Sequence, residues 1–442
     1  MNIAEVESLL ERSRPFSPPP EIRRRILEAA TAKARPESVS NPRPRKVEVL
    51  TMAASVLSLL GTLSWMLSTS TPVQHPPIDA QGGGHPFEER RLTDRLPEGA
   101  LSGFSWSADG RHWGGVVLSS HEDKAPCAVI VDGKREEPHF YVTGFCFGAD
   151  GHHAYLAYDA EGGNTLVVDG IPQHEFPSYD SMAWSPDGKT LAFVAQNAGR
   201  WYVVQGGKRS EPFDGVKELT WSPDGRTLVF SAAISKDWCC VVNGKKAEAF
   251  DDVKELSFSP DGKTLAYCAA EGEWMLVVGG EKGSRYQPLG RPVFSRDGKA
   301  WAFAANIEGK EAIVVNRENR NKPGHREEEV GDTFDAVREL AMNAEGSRVA
   351  YVVDKGSRKY LVLGGKPTLK FSLIDRISFG PDDKTVAYRA GHYGKQFVIA
   401  GETRSQEFDD IVSGPVWSPD GKKIAFTARN GLELWSRVLD LP

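Results

Sequence analysis

The ten residues "WSPDGKTLAF", from Trp184 to Phe193, return as "WSPDGRTLVF" at Trp221, "FSPDGKTLAY" at Phe258 and "WSPDGKKIAF" at Trp417. The acidic residue of this motif falls at Asp109, Asp150, Asp187, Asp224, Asp261, Asp297, Glu345, Asp382 and Asp420, mostly 36 to 38 residues apart. Self-similarity at such a period means that each copy is one supersecondary unit, whose apolar face is covered by the next copy.

One period reads as four short strands. In the copy that begins at Leu219, "LTW" is a first strand and "SPDG" its turn. Pro223 pre-sets φ there, and Gly225 is free to take positive φ. "TLVFSA" alternates as a half-buried second strand, and "AISKDW" is a polar loop leading to the third strand "CCVV". Asn243-Gly244 is the dipeptide of a two-residue type I′ hairpin, and "KKAEAF" is the fourth strand. The hairpin reads Asp-Gly at Asp132 and Asp169, and Gly-Gly at Gly206, Gly279 and Gly364. After Val315 a charged insertion, "NRENRNKPGHREEEVGD", accounts for the one 48-residue spacing.

Four antiparallel strands per period is the size of a propeller blade, and a ring of blades protects the strand edges. The expected fold is therefore all-β: a propeller of about nine four-stranded blades, with eight as the alternative count. The motif, followed by strand ends of the "VV-x-G-G" kind, resembles the TolB-type, WD40-like β-propeller repeat over about residues 88 to 438. That resemblance implies a scaffold, a receptor or an enzyme accessory, and six to eight blades is the family's common number; nine copies depart from it. The last copy holds only three strands, so Glu88 to Leu96, "EERRLTDRL", is expected to supply the fourth and close the ring.

Four regions are expected: a cytoplasmic arm with short amphipathic helices at 1–46, a transmembrane signal anchor at 47–69, a Pro/Gly-rich linker at 70–87 and the propeller at 88–442. Residues 49 to 78 carry no charge, and Val49 to Leu67 are long enough to cross about 30 Å of hydrocarbon as one helix. Arg43, Arg45 and Lys46 precede this span and the next basic residue is Arg90, which puts the N-terminus in the cytoplasm and the propeller outside, in the periplasm of a Gram-negative type of envelope. A cleaved signal peptide is the alternative, and 46 residues ahead of the span argue against it.

The arm offers "IAEVESLLER" and "PPPEIRRRILEAATAKA", both amphipathic and too short to be stable alone. It resembles the N-terminal arms of membrane-tethered anti-sigma-type regulators, which implies a cytoplasmic partner. A weakly ordered tail is the alternative.

The formal charge is −6 over 442 residues; residues 1 to 46 carry +4, Glu48 adds −1, and the remainder carries −9. An acidic propeller gives no footprint for nucleic acid. The five cysteines lack metal spacing and read as buried thiols, with a Cys127–Cys146 disulfide as the alternative. His152 and His153 stand where other copies have "KT" and read as exposed polar positions rather than a metal site. The chain has no GxSxG, HExxH, CxxC or phosphate-cradling loop, so no catalytic residue, metal or cofactor is expected.

The loops between second and third strands differ from copy to copy while the strands repeat. Four end in an aromatic residue, Trp201, Trp238, Trp274 and Tyr360, for which packing between blades is the alternative reading. Together with the charged residues beside them, Arg200, Lys236, Asp237, Glu271, Glu273, Arg358 and Lys359, they are candidate contacts for a protein, peptide or envelope polymer, the charged tips being the better ones. A hydrolase or lyase built from channel residues without a linear motif, and a transmembrane signalling regulator, are the alternative functions.

Overall fold

Ser222 shows what the repeated turn does. Its hydroxyl donates to the Asp224 carboxylate at 2.5 Å and accepts the Thr227 N–H at 3.0 Å, while the Asp224 carboxylate accepts the Arg226 N–H at 3.1 Å. The same pattern recurs at Ser185/Asp187, Ser259/Asp261 and Ser418/Asp420. In each of these four turns the Asp is thereby consumed in holding its own turn. The turns also meet one another: a Cβ on Gly225 would lie 3.4 Å from Pro186 of the preceding copy, and one on Gly262 3.5 Å from Pro223.

The structure, a computed structural model, describes residues 87–93, 96, 100–118, 127–318, 326–355 and 358–442. Among them the strands group into nine antiparallel sheets, one per motif copy. In chain order these blades begin at Ala100, Tyr141, Ser178, Gly215, Asp252, Gln287, Ala336, Leu373 and Asp410. The count is nine rather than eight. The first strand of each blade packs on that of its neighbour through most of the series, and Ala100–Trp106 of blade 1 packs on Asp410–Trp417 of blade 9. Trp106 seals that join by donating its indole N–H to the Thr427 hydroxyl at 3.0 Å.

Closure follows the sequence expectation. Arg90–Thr93 pairs antiparallel with Glu433–Asp440, Arg90 facing Ser436, and becomes the outermost strand of blade 9. Leu92 and Leu96 pack into the cluster that joins blades 1 and 9. The other clusters likewise straddle successive blades; one unites Val194 and Val203 of blade 3 with Phe230 and Val241 of blade 4. The hairpins take positive φ at both central residues, 47° at Asn243 and 79° at Gly244, as type I′ turns require. In blade 6 the insertion lengthens the outer hairpin, Lys310–Glu318 with Arg326–Phe334, and the first strand is split into Gln287–Pro288 and Val293–Phe294.

The arm at 1–46, the span at 49–67 and nearly all of the linker at 70–87 lie outside the described residues. Among the described residues no helix is long and apolar enough to cross a membrane.

Two readings are corrected or resolved. His153 is buried, 7% exposed, because the turn of blade 2 is one residue shorter than the others. The His152 carbonyl closes that turn on Gly148, as the Thr227 carbonyl does on Ser222, so His153 takes the buried place of Leu228. All five cysteines are free thiols, so Cys127 and Cys146 form no bridge.

Candidate functional site

The four loop aromatics are structural. Trp201 exchanges backbone hydrogen bonds with Phe213 and packs, half-buried, against the core of blades 3 and 4. Trp238 and Trp274 pack against the next two inter-blade cores, and Lys217 and Lys254 cover their rings at 4.0 and 4.2 Å. Tyr360 packs on the core of blades 6 and 7.

The charged neighbours divide into two groups. Arg200 pairs with Asp214, and Lys359 with Asp354 at 3.0 Å. Glu271 meets Lys282 at 3.4 Å and Arg285 at 3.5 Å. Lys236, Asp237, Glu273 and Arg358 are exposed, with Glu273 reaching Arg285 only at 4.0 Å. The structure thus places these loops at the same point of blades 3, 4, 5 and 7 and leaves part of their charge facing solvent.

A second constellation escaped the sequence reading. Four residues before the turn Ser, or the residue in its place, the first strands carry Gly103, Gly144, Ser181, Glu218, Glu255, Arg291, Glu339, Arg376 and Gly414. In every blade except the sixth, whose first strand is split, a β-bulge shifts the register at or beside this position. The three glycines adopt φ of 60°, 68° and 85°; Glu218, Glu255 and Arg376 adopt 51°, 60° and 55° despite their side chains. Such a backbone costs a residue with a Cβ on the order of 1 kcal/mol or more, and retention of that strain is a pointer to function.

These positions touch one another around the ring. Glu218, 3% exposed, accepts the N–H groups of Glu255 and Leu256 in the next blade at 2.9 and 3.0 Å. Glu339 accepts the Ile377 N–H of blade 8 at 3.1 Å. Pro292 has no N–H to offer Glu255, which instead faces Arg291 at 3.6 Å, and Arg291 reaches Glu218 at 3.9 Å. Burial, reinforced by the nearby Glu218 carboxylate, raises the pKa of Glu255. Burial and then the charge of Asp375 push Glu339 up to about 7. Burial alone lifts Asp180, one position earlier in blade 3, to about 6.

A third cluster joins blades 1 and 2: Glu136 accepts from Tyr155 at 2.8 Å and binds His153 Nε2 at 2.7 Å, and Tyr155 lies 3.3 Å from His139. His153 is held above its ordinary value, because Glu136 and Asp169 outweigh the opposing effect of burial. The network satisfies itself and is a polar rivet between blades. Among the described residues no group of three His, Cys, Asp or Glu side chains is arranged to hold a metal ion.

The family model described as the lipoprotein LpqB beta-propeller domain matches residues 229–365, blades 4 to 7 in part. The likeness to that family covers less than half of the chain, whose fold is a nine-bladed β-propeller. No curated protein sequence matches the chain. Among solved structures, TolB from Acinetobacter baumannii is similar to this propeller at 18% identity and TM-score 0.28, over 52% of this chain and 62% of that one. The chain thus spans 62% of the length of that TolB. The Dos1 propeller matches at 11% identity and TM-score 0.41 over 79% and 94% of the two chains. The β-propeller domain of the Trilobed protease from Pyrococcus furiosus matches at 14% identity and TM-score 0.35 over 62% and 99%.

Proposed function

We propose that this propeller is an envelope-associated binding scaffold for a protein, a peptide or an envelope polymer, anchored through residues 49–67 with its N-terminus in the cytoplasm. The observation that carries the reading is the contrast between repeated strands and divergent second-to-third-strand loops, whose tips present Lys236, Asp237, Glu273 and Arg358 to solvent. Rigid scaffolds that display variable loops are a common way to build a recognition surface. The likeness of blades 4 to 7 to a lipoprotein propeller supports the envelope assignment. In the test, the purified chain is mixed with an envelope extract, and capture is compared with that by Lys236→Glu and Arg358→Glu. Loss of a captured partner without loss of thermal stability supports the surface; equal capture by all chains removes these loops from it.

An enzymatic alternative is carried by Glu339, whose carboxyl, held up to about 7, has the proton affinity of a general acid. Turnover of a peptide, ester or glycan substrate that disappears in Glu339→Gln would favour that alternative over binding alone.

A further inference from the structure

Three bulges of the ring are copies of one another. In blades 2, 5 and 8 two residues of the first strand, Gly144-Phe145, Glu255-Leu256 and Arg376-Ile377, stand opposite a single tyrosine of the second, Tyr155, Tyr267 and Tyr388. The first residue of each pair adopts positive φ, 68°, 60° and 55°, so the three backbones turn their N–H groups the same way. In blades 5 and 8 a carboxylate of the preceding blade takes these groups. One oxygen of Glu218 accepts from the Glu255 N–H at 2.9 Å and the other from the Leu256 N–H at 3.0 Å, while Glu339 accepts from Arg376 and, at 3.1 Å, from Ile377.

Blade 2 repeats the cradle without the carboxylate. The residue of blade 1 that corresponds to Glu218 and Glu339 is Gly103, and a Cβ there would meet no atom within 4 Å. Among the described residues no side chain accepts the N–H of Gly144 or of Phe145. Gly103 and Gly144 are both exposed, so the space between them is open to solvent. Gly414, the glycine that precedes blade 1 in the ring, makes no second place of this kind. A Cβ on it would lie 2.8 Å from the Ala425 carbonyl and from Phe426, so its own second strand fills that position.

We infer that the bulge of blade 2, with the open space over Gly103, is a binding site for the carboxylate of a ligand, either an acidic side chain of a peptide or a small organic acid. The chain itself displays the occupant that this backbone shape takes, since Glu218 and Glu339 place a carboxylate on the same pair of N–H groups in blades 5 and 8. Hydrogen bonds from backbone N–H to an ionised carboxylate are roughly twice as strong as neutral ones. The first strands of blades 1 and 2, Ala100–Trp106 and Tyr141–Phe147, carry no acidic or basic side chain. No carboxylate on them repels the ligand, and no arginine or lysine on them answers the second charge of a phosphate. The site shares no residue with the loop surface described above.

The test titrates the full purified chain in mild detergent with four probes, followed by ligand-observed NMR: propionate, propionamide, inorganic phosphate, and acetyl-glutamate amide with its side-chain carboxylate free. Propionate is expected to bind at least tenfold more tightly than propionamide or phosphate. Tighter binding of acetyl-glutamate amide than of propionate assigns the site to a peptide side chain, and the reverse order to a small organic acid. Gly103→Glu supplies the carboxylate from within the chain, at a φ of 60° that Glu255 already adopts. It is expected to keep the thermal midpoint of the parent chain while losing propionate binding at least tenfold. Glu218→Gly makes the converse change in blade 4 and is expected to lower that midpoint, with propionate and not propionamide restoring part of the loss. Lys236→Gln, on the loop surface, keeps all of the propionate binding. Equal binding of propionate and propionamide, tighter binding of phosphate, undiminished binding by a folded Gly103→Glu chain, no restoration of Glu218→Gly by propionate, or no binding of any probe would each overturn the assignment.

Discussion

Two places on one stretch of chain, four residues apart, obey opposite rules. The turn that begins at Ser222 is written almost identically in copy after copy, and its polar atoms are spent on one another. The bulge at Glu218 has an equivalent in every blade, yet holds glycine, serine, glutamate or arginine as the blade changes. Repetition at the turn is what packing one blade on the next demands, because each turn rests on its predecessor. Variation at the bulge is tolerated because the backbone shape, not the side chain, is the shared element there. A ring built from copies therefore acquires individuality where a shared backbone shape leaves the side chain free to change.

The largest effect should come from the turn. A Cβ on Gly188 would lie 2.1 Å from the Ala149 nitrogen, in a residue at φ 67°, so Gly188→Ala is expected to cost about 3 kcal/mol or more in urea unfolding. A cost below about 1 kcal/mol would show that turn contacts between blades are dispensable.

The bulge should reveal itself through pH instead. Glu339 holds its proton more tightly in the folded chain, up to about 7 against an ordinary 4.5, so the folded state binds more protons between those values. Stability contributed by the neutral carboxyl is present at the low end of this window and is lost as pH rises through it. Glu339→Gln is expected to flatten that decline by on the order of 2 kcal/mol. An unchanged slope would assign the pH dependence to other groups, Asp180 first.

Ser222→Ala removes the hydroxyl that joins both ends of a turn and is expected to cost about 1–2 kcal/mol, independent of pH between 5 and 8. The smallest effect belongs to the opposite loops. Charge reversal at Lys236 or Arg358 should move stability by less than about 0.5 kcal/mol, which sets the baseline for both regions. Arg200 and Lys359 are poorer probes, because each would leave an acidic partner facing a new acid.

Much of the ring could be read in advance, and the limits were physical. Turn chemistry is local: Pro223, Asp224 and Gly225 act on residues beside them, so the blades and their hairpins were plain. The closing strand at Arg90–Thr93 was legible because the last copy ran out one strand short. The bulges were not, since "KEL" at Lys217 to Leu219 reads as ordinary alternation, and only pairing with the next strand shows the shift after Lys217. An alignment of the nine copies on the turn Ser would have exposed the column of glycines and charges. His153 was misread for a related reason: one missing turn residue moves every later side chain to the other face.

The pairing of Arg90–Thr93 with Glu433–Asp440 also fixes how the molecule carries mechanical load. A pull on the chain ahead of Arg90 does not reach blade 1 first, although blade 1 is next in sequence. It arrives at the outer edge of blade 9, on a short strand whose register slips between Arg91 and Thr93. Release of that strand would leave one edge of blade 9 unpaired.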